Sequence, residues 1–139
     1  MRKIVSIFSI TVASFFLLVS TAVAQIYDFQ GQWVNIDPDT GGITKIVIGV
    51  EEANVTVRAW GKCIPKDCDW GLVNATAYVS APYGKAARAL TAVFGRSYHK
   101  TLLIIHYPQN NQVRIESYIE YAASDGRSNY ANVYVMKRF

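Results

Sequence analysis

The chain has 139 residues, of which 51% are hydrophobic, 13% aromatic and 17% charged, and its formal net charge is +4. This composition excludes a disordered, collagen-like or coiled-coil chain, and two cysteines are too few for a scaffold built on several disulfides. The length indicates one small globular domain.

The first 24 residues differ from the rest of the chain. Arg2 and Lys3 precede an apolar run over 4–19, and Ala22-Val23-Ala24 supplies the small residues that a signal peptidase recognises. The alternative is a membrane anchor, but this run is shorter than the roughly 20 apolar residues that an anchor needs. The pattern predicts a secretory signal peptide over 1–24, a mature domain over 25–139 that is secreted or periplasmic, and no stable membrane insertion after cleavage.

Charge and cysteine content limit the partners of the mature chain. Its 12 basic and 10 acidic side chains are interspersed, without the basic stripe that nucleic-acid binding requires. In an oxidising compartment the only two cysteines, Cys63 and Cys68, are expected to form a disulfide. The two cysteines and two histidines are not spaced for a structural zinc site, so neither a metal nor a cofactor is expected.

Short segments of alternating apolar and polar residues, separated by turn residues, predict an all-β domain. The eight predicted strands cover 31–36, 43–50, 54–60, 71–79, 88–94, 98–107, 112–121 and 129–138. The connections are too short for parallel crossovers, so successive strands must be antiparallel. An eight-stranded up-and-down barrel would leave no free sheet edge and is the favoured architecture. A two-sheet β-sandwich is the alternative.

Alternation divides the strand side chains into an aliphatic set and a polar-aromatic set. In the third strand, for example, Val55 and Val57 alternate with Thr56 and Arg58. The aliphatic set is expected inside the barrel. The other set is expected to form a solvent-facing Tyr-rich face that includes Tyr118, Tyr130, Asn132 and Tyr134. The alternative is that exposed tyrosines reflect only strand propensity and cross-strand pairing.

In an up-and-down barrel, the loops that follow odd-numbered strands meet at one end. The candidate rim residues at that end are Asp37, Asp39, Lys62, Asp67, Asp69, Trp70, Arg96, Asp125 and Arg127. One interpretation is a ligand mouth in which aspartates and carbonyl oxygens hold calcium. The other is ion pairing and Asx-turn chemistry that closes the barrel end.

Catalytic residues are not indicated by the sequence. No strand-turn-helix serine motif is present, and both cysteines belong to the predicted disulfide. His99 and His106 lie an odd number of residues apart on one predicted strand, so they should point to opposite faces. The chain is therefore expected not to be an enzyme.

The segment Gly31-Gln32-Trp33-Val34-Asn35, together with Lys137 and Arg138 near the chain end, resembles the calycin superfamily of lipocalins, fatty-acid-binding proteins and avidins. The resemblance implies the same barrel, closed by Arg138 packing over Trp33. It also implies a small ligand held inside that barrel.

A second resemblance covers most of the mature chain. Its most specific part is Trp60-Gly61-Lys62-Cys63-x-Pro65-x-Asp67-Cys68-Asp69-Trp70-Gly71, and further matching segments are 33–38, 42–44 and 125–130. These segments look like a functionally uncharacterised family of small secreted bacterial β domains. The resemblance supports the predicted compartment and domain limits and implies no activity.

Two functions are therefore expected. The first is a secreted, non-catalytic binding protein that holds a small apolar ligand in a calycin-like barrel. The alternative is a secreted interaction module that binds a protein or glycan, secreted or in the cell envelope, through its loop rim or Tyr-rich face.

Overall fold

The computed structural model describes residues 25–139, so the predicted signal peptide over 1–24 lies outside the described residues. A short helical segment over 25–27 precedes the sheet. The strands are β1 (Gly31–Asn35), β2 (Ile43–Glu51), β3 (Asn54–Gly61), β4 (Cys68–Val79), β5 (Ala87–Gly95), β6 (His99–His106), β7 (Gln112–Tyr121) and β8 (Tyr130–Arg138). In this part of the chain no helix is long and apolar enough to cross a membrane.

The eight strands form one closed antiparallel barrel in sequence order, with β8 returning to pair with β1. The predicted up-and-down barrel is confirmed, and the sandwich alternative is wrong. Strand limits agree with the sequence prediction to within one residue, except that β4 begins at Cys68 rather than at Gly71. The difference arises because the register between β3 and β4 shifts between Ala59 and Trp60 and pairing continues to Gly61 and Cys68.

The hairpin that joins β3 to β4 carries the disulfide. Cys63 and Cys68 are bonded, with their Cα atoms 5.4 Å apart. The bond therefore closes the loop directly at the start of β4, two residues before Trp70.

The barrel interior is packed by β-branched and other aliphatic side chains from all around the sheet. Alternation places these residues on one face of each strand, where burial of apolar surface stabilises the fold. The largest fully buried side chains are Trp33, Phe29, Ile43, Ile46, Ile48, Leu90, Leu103, Ile105, Ile115, Met136, Val57 and Val113. The aliphatic residues of the third and seventh strands are thus inside, as predicted.

We call the end of the barrel formed by residues 25–30 and the loops after even-numbered strands the base. There the Trp33 indole donates a hydrogen bond to the Phe29 carbonyl oxygen over 2.8 Å. The Arg138 guanidinium, directly opposite Trp33 in the β1–β8 register, lies 4.1 Å from the centre of the Trp33 ring. The same guanidinium donates to the carbonyl oxygens of Gln30 and Asp28. The base is therefore covered by residues from both ends of the described chain.

The opposite end, formed by the loops after odd-numbered strands, is called the mouth. β1 is only five residues long and pairs with β8 over three residue pairs, between Trp33–Asn35 and Met136–Arg138. Residues 130–134 of β8 extend past β1 toward the mouth while remaining paired with β7. The barrel wall is consequently incomplete beside the first half of β8.

The register of β8 corrects one sequence prediction. Tyr130, Asn132 and Tyr134 pair with Ile119, Ser117 and Ile115, so they share the interior face with those residues. Tyr118 pairs with Ala131 and remains outside. The predicted Tyr-rich face is therefore wrong for Tyr130, Asn132 and Tyr134. Both faces of β8 carry apolar residues, so its own pattern does not decide which face is inside.

Candidate functional site

Six inward-facing side chains line the upper interior of the barrel at the mouth. They are Trp70, His99, Tyr121, Tyr130, Asn132 and Tyr134, and together we call them the mouth cup. All six are at least partly exposed, although their strand positions face the interior. The interior of the barrel is therefore open to solvent at this end.

Exposure rises along the inner face of β8 toward the mouth. Met136 is fully buried, Tyr134 is half-buried, and Tyr130 is 49% exposed. β7 shows the same trend less steeply, from fully buried Ile115 to half-buried Tyr121. The inner face is therefore most exposed on the β8 side, where β1 does not extend.

Below the cup the interior is closed. Leu103, Ile105, Ile115 and Met136 have no exposed surface at all. A void large enough for a water molecule would leave some surface exposed on the side chains around it, so no such void adjoins these residues. A ligand could therefore enter this part of the barrel only by displacing these side chains.

Two aromatic rings of the cup lie directly against backbone at glycine positions. A Cβ atom on Gly42 would lie 2.1 Å from the Tyr134 hydroxyl oxygen, and one on Gly61 would lie 2.8 Å from the Trp70 indole nitrogen. Trp70 also meets Phe94 edge-to-face, with ring centres 5.7 Å apart. Any larger residue at position 42 or 61 would force the Tyr134 or Trp70 ring, or the backbone, to move.

Tyr121 lies among other rings on the β6–β7 side of the mouth. Its ring centre is 5.8 Å from that of His99 and 6.2 Å from that of Tyr130. Burial and the neighbouring Tyr121 raise the pKa of Tyr130, so its hydroxyl stays a neutral hydrogen-bonding group at physiological pH. Each ring presents an apolar face, and the tyrosines add a hydroxyl at their ends.

An ion pair covers the edge of this aromatic group. The Arg127 guanidinium lies 4.2 Å from the ring centre of Tyr121 and 5.3 Å from that of Tyr98. It also binds the Asp125 carboxylate through two nitrogens, and this hydrogen bonding lowers the pKa of Asp125. The side chain of Asp125 is 14% exposed and that of Arg127 is 55% exposed, so the carboxylate is largely covered while the guanidinium also contacts solvent.

The polar groups around the cup are mostly uncharged. Thr101 and Ser117 are buried on the interior face just below it, and the Asn132 amide lies 3.3 Å from the Tyr134 hydroxyl. Nδ1 of His99 is buried and, within residues 25–139, has no hydrogen-bond partner. The cup therefore combines aromatic faces with hydroxyl, amide and imidazole groups.

The structure separates the rim residues predicted from sequence. Trp70 lies in the cup, and Asp125 and Arg127 lie at its edge. Asp69 instead pairs with Arg58 on the outside of the barrel, which lowers the pKa of Asp69. Asp67 accepts a hydrogen bond from the Thr44 hydroxyl over 2.6 Å.

The remaining rim residues lie in loops or shallow grooves. Asp37 accepts a hydrogen bond from the backbone N–H of Asp39, which is an Asx turn. Lys62 lines a groove of about 170 Å³ together with Asp37 and Asp67. Arg96 lines a separate groove of about 280 Å³ beside Tyr98 and His99. The nine predicted residues therefore share one end of the barrel without forming one site.

The calcium interpretation of the rim finds no cluster of ligands to support it. In the part of the chain that the structure describes, no three His, Cys, Asp or Glu side chains are grouped closely enough to hold a metal ion. The aspartates are engaged separately, by Arg58, Arg127, Thr44 and turn backbone. Ion pairing and Asx-turn chemistry both occur, but Asp69 pairs with a strand arginine rather than with a rim base.

The two histidines lie on opposite faces of β6. His99 faces the interior, whereas His106 lies outside, with Nε2 3.0 Å from the Glu116 carboxylate. Hydrogen bonds from Tyr118, Arg114 and His106 lower the pKa of Glu116 to about 2. A carboxylate so strongly held in its charged form is a poor general base. The cup itself contains no carboxylate.

Sequence reasoning placed Trp70 at the rim and placed Tyr130, Asn132 and Tyr134 on a Tyr-rich outer face, whereas their strand register puts these three inside. His99 and Tyr121 were not identified as binding residues. The useful signals were Gly42 and Gly61, each of which lies beneath a ring of the cup. Comparison of the chain with family models, curated proteins and solved structures found no match.

Proposed function

We propose that this chain is a non-catalytic binding protein that takes a saccharide ring, presented by a glycan, into the mouth cup. The observation that carries the proposal is the exposure of interior-facing aromatic residues, above all Tyr130, which is 49% exposed. Large aromatic side chains left open to solvent in a concave site are typical of ligand binding.

The chemistry of the cup favours a neutral polar ring. Aromatic faces such as that of Trp70 can cover the C–H surface of a sugar, while hydroxyl and amide groups such as those of Tyr134 and Asn132 can bond its hydroxyls. The ion pair at the edge, Asp125 with Arg127, is already satisfied internally. A charged ligand would have to compete with that pair, whereas a saccharide would not.

The fully buried lower interior is the reason for placing the ligand at the mouth. An apolar ligand deep in the barrel would have to displace side chains such as Leu103 and Ile105, which leave no free surface. Filling of small eight-stranded barrels by their own side chains is common. The proposed ligand is therefore shallow, and its remaining units extend into solvent.

Two further parts of the proposal concern compartment and chemistry. The Cys63–Cys68 disulfide and the signal-like segment over 1–24 support a secreted or periplasmic location. The absence of a carboxylate from the cup and the separation of His99 from His106 support a binding role without catalysis. The partner is then a glycan of the cell surface or its surroundings.

Titration of mono- and oligosaccharides into the disulfide-bonded protein, followed by tryptophan fluorescence and calorimetry, tests the proposal. Binding should change the fluorescence of Trp70, and Tyr130→Ala should weaken affinity by about tenfold or more, the equivalent of about 1.4 kcal/mol. Tyr83→Ala is the matched control, because Tyr83 is 97% exposed in the β4–β5 loop at the base.

Two results would contradict the proposal. One is the absence of binding across a broad saccharide panel. The other is saccharide binding that survives both Tyr130→Ala and Tyr134→Ala. Native mass spectrometry of protein purified from its source distinguishes this proposal from the alternative function. A co-purifying apolar adduct would favour binding of a small apolar ligand.

A further inference from the structure

The first half of β8 has a free edge. The Ile36 N–H donates to the Val135 carbonyl oxygen, so Val135 directs its backbone groups toward β1. Successive residues of a strand direct these groups to opposite sides, so Ala131 and Val133 direct theirs to the same side as Val135. Within residues 25–139 no strand pairs with that side of residues 130–134.

This edge lacks the charged residue, proline and bulge that often protect natural sheet edges. Residues 130–134 contain no charged residue and no proline, and their register with β7 continues without a bulge. Ala131 is exposed and Val133 is 55% exposed on the outer face. An unprotected edge of this kind readily pairs with another strand.

We infer that residues 130–134 of β8 pair antiparallel with the same residues of a second copy of this chain. The segment is complementary to itself when Asn132 lies on the two-fold axis. Ala131 then lies opposite Val133 of the partner, and the two exchange both of their N–H to carbonyl bonds. Since the segment is uncharged, two copies do not repel each other at the contact.

The free length of the edge also fits this pairing. In each copy the free edge ends at Val135, because the Val135 carbonyl oxygen already accepts a hydrogen bond from the Ile36 N–H. At its other end the edge begins at Tyr130, directly after the β7–β8 loop. In the antiparallel arrangement the partner chain leaves the sheet near the point where Ile36 blocks the edge. The two five-residue segments therefore pair over their whole length.

Pairing through this edge joins the two mouth cups. Directly opposite residues of antiparallel strands lie on the same face of a sheet, so the partner copy places its Asn132 beside Asn132 on the interior side. Tyr130 and Tyr134 flank this pair. The dimer thus completes the wall that β1 leaves open, and it does so whether or not the cup binds a saccharide.

Sedimentation of the full mature chain across the micromolar range provides the first test. Wild-type protein should be dimeric, and Ala131→Pro should raise the dimer dissociation constant by about tenfold or more, because proline removes an edge N–H without touching the β7 ladder. Ala131→Ser keeps that N–H and is the matched control. Val133→Lys is a second disruptive variant, which adds a charge at an exposed position.

Cross-linking locates the contact. Asn132→Cys should give a disulfide-linked dimer, because the two Asn132 positions face each other across the axis. Tyr130→Cys should not, since its opposite residue is the partner's Tyr134. Wild-type protein that stays monomeric, or a dimer that survives both Ala131→Pro and Val133→Lys in correctly folded protein, would overturn the inference.

Discussion

The base and the mouth of the barrel are built from the same eight strands but differ in how fully their interior side chains are buried. At the base, Trp33 and Phe29 are fully buried and the Arg138 guanidinium covers the indole. At the mouth, interior positions carry aromatic and polar residues that remain partly exposed, as Tyr130 does. The interior face is thus apolar and closed at one end, and polar-aromatic and open at the other.

This difference predicts that the base contributes more to stability than the mouth. Side chains at the base gain from burial of apolar surface, which is the main stabilising contribution in a domain of this size. The exposed rings at the mouth bury less apolar surface, so they contribute less to the free energy of folding. Substitutions at the two ends should therefore have effects of different size and kind.

The largest effect is expected from Trp33→Ala at the base. Removal of a fully buried tryptophan should lower the free energy of unfolding by about 3–5 kcal/mol, through loss of packing and the cavity that remains. Tyr130→Ala at the mouth should cost less than about 1 kcal/mol, because half of its surface is already exposed. Chemical unfolding followed by circular dichroism measures both values.

Trp33→Phe extends this test if the alanine variant does not fold. It keeps a ring in the core but loses the hydrogen bond to the Phe29 carbonyl, so an intermediate loss of about 1–3 kcal/mol is expected. Equal losses for Trp33→Ala and Tyr130→Ala would show that the mouth is as tightly packed as the base, and the comparison would fail.

Much of the fold could be predicted from the sequence because period-two alternation and short connections leave few topologies. Seven of the eight strands match to within one residue at each end. The exception, β4, begins early because of a register shift between Ala59 and Trp60. Gly71, which pairs with Ala59 and has a φ of 91°, is the sequence signal for this irregularity, and the prediction took it as the start of the strand instead. The helical segment over 25–27, which precedes buried Phe29, was also not predicted.

The candidate site was harder to predict, for a physical reason. The prediction assigned aliphatic residues to the interior, a rule that holds where the interior is dry. On β8 it would place Val133 inside, whereas pairing with β7 places Asn132 and Tyr134 there. Near an open mouth the interior face no longer excludes polar groups, so hydrophobic pattern alone cannot identify it.

Loss of the disulfide tests how the mouth is held. Replacing Cys63 and Cys68 together by serine should lower the free energy of unfolding by about 2 kcal/mol, the loop-closure entropy expected for so short a loop. Trp70 follows closely on Cys68, so hydrogen exchange should accelerate in the early part of β4 while Leu103 and Ile105 stay protected. Faster exchange throughout the core would show that the base also depends on the disulfide.

Gly42→Ala tests the packing of the cup itself. The new methyl group would meet the Tyr134 hydroxyl, so the ring must move, at a cost of about 1–2 kcal/mol. Gly41→Ala is the matched control, because no atom lies within 4 Å of its added Cβ, and its effect should stay within about 0.5 kcal/mol. Thermal unfolding measures both, and equal values would mean that Tyr134 is free to move at no cost.

The smallest effect is expected from protonation of Asp125 at the mouth. None of the buried core residues in 25–139 is a carboxylate, whereas Asp125 at the mouth is paired with Arg127. Because the pKa of Asp125 is lower in the folded chain than its ordinary value of 3.8, proton uptake favours the unfolded chain. The contribution of the pair is complete above pH 3.8 and is lost as the pH falls below that value.

Two substitutions isolate this contribution from the other carboxylates. Wild-type protein should have a higher denaturant midpoint than Asp125→Asn above pH 3.8, and the difference should disappear as the solution is acidified below it. Arg127→Met, which leaves the carboxylate without its cation, should show the same convergence. A constant difference at every pH would mean that Asp125 orders the β7–β8 loop through neutral hydrogen bonds, because only a contribution that depends on charge can vanish on protonation.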